Sequence, residues 1–127
     1  MSWIGVDLDG TLAMHPDPET PWPDIGRPIP RMVERVKAWL AEGKEVRIMT
    51  ARVSGQASRP AYVSAQRFAI MDWCEQHLGQ RLDVTNEKDY DMISLYDDRA
   101  VQVMPNTGMT RDEHRDELIM KFTPGRT

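Results

Sequence analysis

Residues 3 to 12 read WIGVDLDGTL, and this stretch constrains the fold more than any other. Its apolar opening, Trp3-Ile4-Gly5-Val6, has the form of a buried strand, and two acids follow where such a strand would run out. Side chains alternate across a strand, so Asp7 and Asp9 share one side while Leu8 turns back to the core. Gly10 and Thr11 then let the backbone leave the sheet. Two carboxylates this close repel each other unless positive charge lies between them, and a hard, oxygen-seeking cation such as Mg²⁺ meets that need.

The chain beyond this stretch alternates in a way that builds a sheet around it. Between residues 13 and 30, Pro16, Pro18, Pro21, Pro23, Pro28 and Pro30 forbid a continuous helix and predict an ordered, irregular connection. Within it, Trp22 reads first as an anchor that packs the loop onto the body, with stacking on a substrate ring as the alternative. His15 reads as an exposed loop histidine. In RMVERVKAWLAE, residues 31 to 42, Val33, Val36 and Leu40 fall on one face, joined by Met32 and Trp39, which predicts an amphipathic helix closed by Gly43. A short strand over residues 45 to 49 then runs into Thr50-Ala51-Arg52.

Strand, helix, strand in that order implies a parallel pair with a right-handed crossover. Both strands then finish at one edge of the sheet, where Asp7, Asp9 and Thr50 are expected to meet.

Pro60 opens a second helix through Leu78 that is apolar around much of its circumference and is expected to be well covered, with Cys74 as a buried core thiol. Residues 81 to 85 predict a third strand and residues 86 to 90 a polar turn. Residues 92 to 96 predict a fourth strand ending in Asp97 and Asp98, and residues 100 to 104 a fifth. Thr110-Arg111-Asp112-Glu113 has the form of a capping box for a last helix through Phe122. Together these elements predict one α/β domain over residues 1–127, a Rossmann-like three-layer fold with a mainly parallel five-stranded sheet and helices on both faces.

Size and charge narrow the setting. A chain of 127 residues and 14.6 kDa holds one core and not two. A net charge of -4 and a pI near 5.3 give no general attraction to nucleic acid or anionic membrane and leave room for a local basic patch. One cysteine excludes an internal disulfide, and neither a signal peptide nor a run long enough to span a bilayer is evident, so a cytoplasmic protein is expected.

The chemistry-bearing residues at or just beyond the strand ends are Asp7 and Asp9, the Thr50 hydroxyl, the Lys88 ammonium, and Asp97 with Asp98. A carboxylate can attack phosphorus and form an acyl phosphate if the repulsion between anions is screened. A second carboxylic acid can protonate the leaving oxygen and later deprotonate the attacking water.

In this order DLDGT, IMTAR, NEKD and YDDR resemble the four motifs of the haloacid dehalogenase (HAD) superfamily of phosphotransferases, over Ile4 to about Val103. The resemblance implies a HAD-like fold and a Mg²⁺ cofactor, with Asp7 as nucleophile and Asp9 as general acid/base whose backbone carbonyl also meets the metal. It implies phosphate-binding roles for Thr50, Ala51 and Lys88, with Asp98 as direct metal ligand and Asp97 acting through water. An aspartate two positions after the nucleophile looks like a phosphatase or phosphomutase rather than a dehalogenase.

The spaces after the first and third motifs are too short for the cap domain of many members. The capless layout is similar to that of the phosphatase domains of polynucleotide kinase 3′-phosphatases. An open site goes with large or nucleotide-type substrates, including a nucleic acid 3′-phosphate, or with closure by oligomerisation. Arg52 and Arg59 are substrate-contact candidates, with ordinary surface arginines as the equal alternative. Two other readings are a catalytically idle HAD-fold binding protein and a receiver-like phosphoacceptor domain. In receivers the lysine comes last, whereas here Lys88 precedes the second acid pair.

Overall fold

A computed structural model describes residues 2–19, 24–55 and 60–122. Trp22 and Arg59 lie outside the described residues. The elements are β1 (Trp3–Val6), α1 (Pro30–Ala41), β2 (Glu45–Met49), a single 3-10 turn (Ala51–Val53), α2 (Pro60–Leu78), β3 (Val84–Thr85), β4 (Met92–Tyr96) and α3 (Arg111–Phe122). The four strands lie in the order β3-β2-β1-β4, and every pairing is parallel. Their carboxyl ends, Val6, Met49, Thr85 and Tyr96, therefore face the same edge.

Strand β1 is buried along its whole length, as its uninterrupted apolar run predicts. Ile4 and Val6 face the same way as Val46 and Ile48 of β2, and these join Val33, Val36, Ile70, Leu78 and Val84 in one core. Helix α1 starts at Pro30, whose missing N–H removes a donor that the first turn could not have used. It buries Met32, Val33 and Val36 and stops at Gly43, which adopts φ +80°. There Gly43 N donates to Leu40 O and Lys44 N to Trp39 O, each at 3.0 Å, so two otherwise orphaned carbonyls are satisfied.

Helix α2 buries a single stripe, Gln66, Ile70, Trp73, Cys74 and Leu78, and leaves Phe68 63% exposed on its outer side. The wide apolar circumference thus does not translate into wide cover, because this helix has neighbours on one side only. Burial pushes the Cys74 thiol up to about 12, so it is an inert core group.

The sheet departs from the sequence reading in two respects. Residues 100 to 104 do not form a fifth strand: Val103 makes an isolated bridge to Thr110, while Val101 and Val103 stay exposed. The chain turns back at once, with Asn106 and Gly108 at positive φ and Met104 N donating to Met109 O at 2.8 Å, so no length remains to pair with the sheet. Nor do helices cover both faces. Two right-handed crossovers that step in the same direction put α1 and α2 on one face, where they pack against each other, and α3 buries none of its residues.

On the opposite face the buried side chain among the described residues of β1 is Trp3. Trp3 is fully buried there, its indole N–H donating to Asp89 Oδ1 at 2.8 Å and its ring lying 4.5 Å from the Arg47 guanidinium. Gly5 leaves room for this: a Cβ at that position would sit 3.1 Å from Met92 Sδ and 3.2 Å from Leu95 Cδ1. The predicted capping box of α3 forms, with Glu113 N donating to Thr110 Oγ1 and Thr110 N to Glu113 Oε1.

The proline-rich connection is ordered where it is described. Met14 N donates to Arg27 O at 2.7 Å, Ile29 N to Leu12 O at 2.8 Å, and Trp73 Nε1 to Gly26 O at 3.2 Å. A Cβ on Gly26 would lie 1.9 Å from the Met14 carbonyl oxygen, so the two backbone runs touch with no space for a side chain. Gly26→Ala is expected to destabilise the protein by about 1–3 kcal/mol, the scale of an overpacked site, and to lower its urea midpoint. An unchanged midpoint would show that the loop packs less tightly than this.

Candidate active site

At the carboxyl edge of the sheet Asp7 comes together with Asp97 and Asp98, whereas the Asp9 carboxylate, expected to share a site with Asp7, turns to Arg52 instead. Asp7 follows β1, and its N–H donates to Tyr96 O at 2.9 Å, so the end of β4 is stitched to the start of the site. Asp7, Asp97 and Asp98 each offer a carboxylate oxygen, all within 4.8 Å of one another. Thr11 orients Asp98: its hydroxyl donates to Asp98 Oδ1 at 3.2 Å and accepts from Asp98 N at 3.0 Å. Asp97 accepts from Arg99 N at 2.7 Å. Gly10, at φ +86°, makes room for the cluster, since a Cβ there would lie 2.4 Å from Asp98 Oδ2.

Such crowding has an electrostatic signature. Burial, then a hydrogen bond with Asp98 and the charge of Asp97, push the Asp7 carboxyl up to about 7. Asp98 moves the other way, held below its ordinary value chiefly by its hydrogen bond with Asp7. Within the pair the shifts favour a proton on Asp7 and the charge on Asp98. Three hard carboxylate oxygens converging within 4.8 Å form a donor set that suits Mg²⁺.

An open cleft of about 650 Å³ adjoins the cluster, lined among others by Asp7, Asp9, Thr50, Ala51, Arg52, Asp97 and Arg99. Thr50 is buried just beyond β2, and its side-chain oxygen accepts from Arg52 N at 3.2 Å. The Asp9 carboxylate lines the cleft but stands outside the three-carboxylate group. It is held by Arg52 instead, Nε to Oδ2 at 2.7 Å and Nη2 to Oδ1 at 2.6 Å. Lys88 is exposed in the connection from β3 to β4 and does not line the cleft, where Asn86 stands instead.

Three residues contribute more than the sequence suggested. Thr11 reads only as a turn residue, although a hydroxyl just past the acids was the available signal. His15 is exposed, as its loop setting predicts, yet its Nε2 lies 3.6 Å from Asp98 Oδ2 and it lines the cleft. Arg99 follows the second acid pair directly and brings a second guanidinium to the cleft.

No described helix is long and apolar enough to cross a membrane. No family model matches the chain, and no curated protein matches it. A solved structure of a conserved protein from Bacteroides thetaiotaomicron is similar, with a TM-score of 0.51 and 21% sequence identity over 94% of this chain and 88% of that one. At that identity the likeness shows a shared fold, a single α/β domain with a parallel sheet, and nothing of activity.

Proposed function

We propose that this chain is a Mg²⁺-dependent phosphomonoester hydrolase of the HAD type that works through an aspartyl-phosphate on Asp7. The observation that carries this reading is the convergence of Asp7, Asp97 and Asp98 within 4.8 Å, beside a cleft that also holds Asp9 and Thr50. Asp7 and Asp98 would hold the ion directly and Asp97 through water; when bound, it neutralises the carboxylates and screens the phosphoryl oxygens.

The protein groups divide the remaining work. A carboxylate oxygen of Asp7 forms a bond to phosphorus as the bond from phosphorus to the leaving oxygen breaks, and Asp9, with one oxygen held by Arg52 and the other released from the fork to carry a proton, gives the leaving oxygen that proton. Asp9 then takes a proton from the water that cleaves the acyl phosphate, and Asp7 is regenerated. In this reading the Thr50 hydroxyl and the backbone N–H of Ala51 bind phosphoryl oxygens and Arg99 adds positive charge, which the presence of all three residues in the cleft lining supports. Lys88 serves the phosphate if its side chain swings in from the surface when substrate binds.

The open cleft supports a phosphate carried on a large or nucleotide-type substrate, such as a nucleic acid 3′-end. Phosphate release with and without Mg²⁺ across 3′-phosphorylated DNA, nucleotides, sugar phosphates and phosphopeptides tests both parts. Release from none of them sinks the enzyme reading. Strong preference for sugar phosphates sinks the large-substrate reading alone.

A further inference from the structure

Arg52 follows the cleft threonine and reads in sequence as a substrate contact, but its hydrogen-bonding capacity is already committed within the protein. Nε and Nη2 take both oxygens of Asp9, Nη2 also donates to the Asp24 carbonyl at 2.8 Å, and Nη1 donates to Gln66 Oε1 at 3.2 Å. Four of the five N–H donors of a guanidinium are thereby engaged. Gln66 is 1% exposed, and its amide N–H₂ donates in turn to Tyr62 Oη at 3.2 Å, so the far side of Arg52 is anchored inside α2. A bidentate pair with both partners mostly covered fixes direction as well as charge.

The Asp9 carboxylate that this fork holds stands outside the group formed by Asp7, Asp97 and Asp98, although Asp9 lies only two residues from Asp7.

We propose that Arg52 is a positioning residue that acts through Asp9. It separates the acid that handles protons from the acids that hold the cation, and it ties that separation to the proline-rich connection through Asp24 and to α2 through Gln66. This inference rests on the reading of Asp9 as general acid/base.

The test is a double-mutant cycle on the full chain with Mg²⁺, using Arg52→Ala, Arg52→Lys, Asp9→Asn and Arg52→Ala/Asp9→Asn, each checked for folding by circular dichroism. The readout is kcat/KM for an alkyl phosphate, whose leaving group needs a proton, against an activated aryl phosphate, whose leaving group does not. Arg52→Ala is expected to cost about 10²-fold on the alkyl ester and less than about tenfold on the aryl ester, following the contribution of general acid catalysis. In the Asp9→Asn background it should cost almost nothing further. Arg52→Lys keeps the charge without the fork and should show the same selectivity in weaker form, which serves if the alanine variant does not fold.

Equal losses on both esters, or full additivity with Asp9→Asn, would overturn the positioning role while leaving the hydrolase reading intact. A wild-type chain without Mg²⁺-dependent activity would overturn both.

Discussion

Asp7→Asn is expected to abolish Mg²⁺-dependent phosphate release, by more than about 10³-fold, the scale on which loss of a covalent nucleophile acts. The protein should not unfold. In the native chain burial, then Asp98 and Asp97, push the Asp7 carboxyl up to about 7, so replacing it with a neutral amide of the same size removes both a buried charge and its repulsion. The variant should therefore melt at or above the wild-type temperature in the absence of divalent cation at pH 8, while it is catalytically silent. Opposite changes in stability and activity mark a residue placed for chemistry at a cost to folding. Turnover that survives the substitution would remove Asp7 from the nucleophile's role.

The second large effect concerns pH and metal together. Asp7 has an ordinary value of 3.8 and stands at about 7 in the folded chain. Between these values the folded state holds a proton that the unfolded state has released, so stability falls as pH rises through the window. The contribution is complete below about 4 and lost by about 7. Asp98 is shifted downward, so its contribution is lost only as pH falls below 3.8, outside this window.

The metal-free protein is thus expected to melt lower at pH 8 than at pH 5. On the proposed reading Mg²⁺ competes with that proton, so its stabilisation should be large at pH 8 and small at pH 5, about 2.7 kcal/mol at the higher pH when present at a hundredfold excess over Kd. Thermal melts at the two pH values with Mg²⁺ and with EDTA measure it. An equal Mg²⁺ shift at both values, or none at either, would separate the cluster from cation binding.

Much of the arrangement is legible in the chain because it depends on short-range rules. The apolar run of β1 and the acids at its end, the amphipathic α1 closed by Gly43, and the box of Thr110 and Glu113 each follow from local pattern, and the structure has them. What escaped depends on distant neighbours. Val101 and Val103 have the composition of a strand, but the turn at Asn106 and Gly108 follows too soon for them to reach the sheet. The burial of Trp3 on the second face involves its contacts with Arg47 and Asp89, which no local period announces. At the site, the positions of Asp7, Asp97 and Asp98 followed from strand ends. The engagement of Arg52 with Asp9 did not, since it needs α2 and the proline-rich connection to be in place first.

Strand β1 lies between β2 and β4, and this has a temporal meaning. Asp7 is synthesised well before Asp98, yet they belong to one cluster. The pairing of β1 with β2 closes a modest loop, whereas the pairing with β4 must wait for the chain between them and bears the larger entropy of closure. A nascent chain that has not yet produced Asp97 and Asp98 can lay down the helical layer over β1 and β2 but carries no complete acid cluster. The acid cluster is thus completed late, when β4 docks.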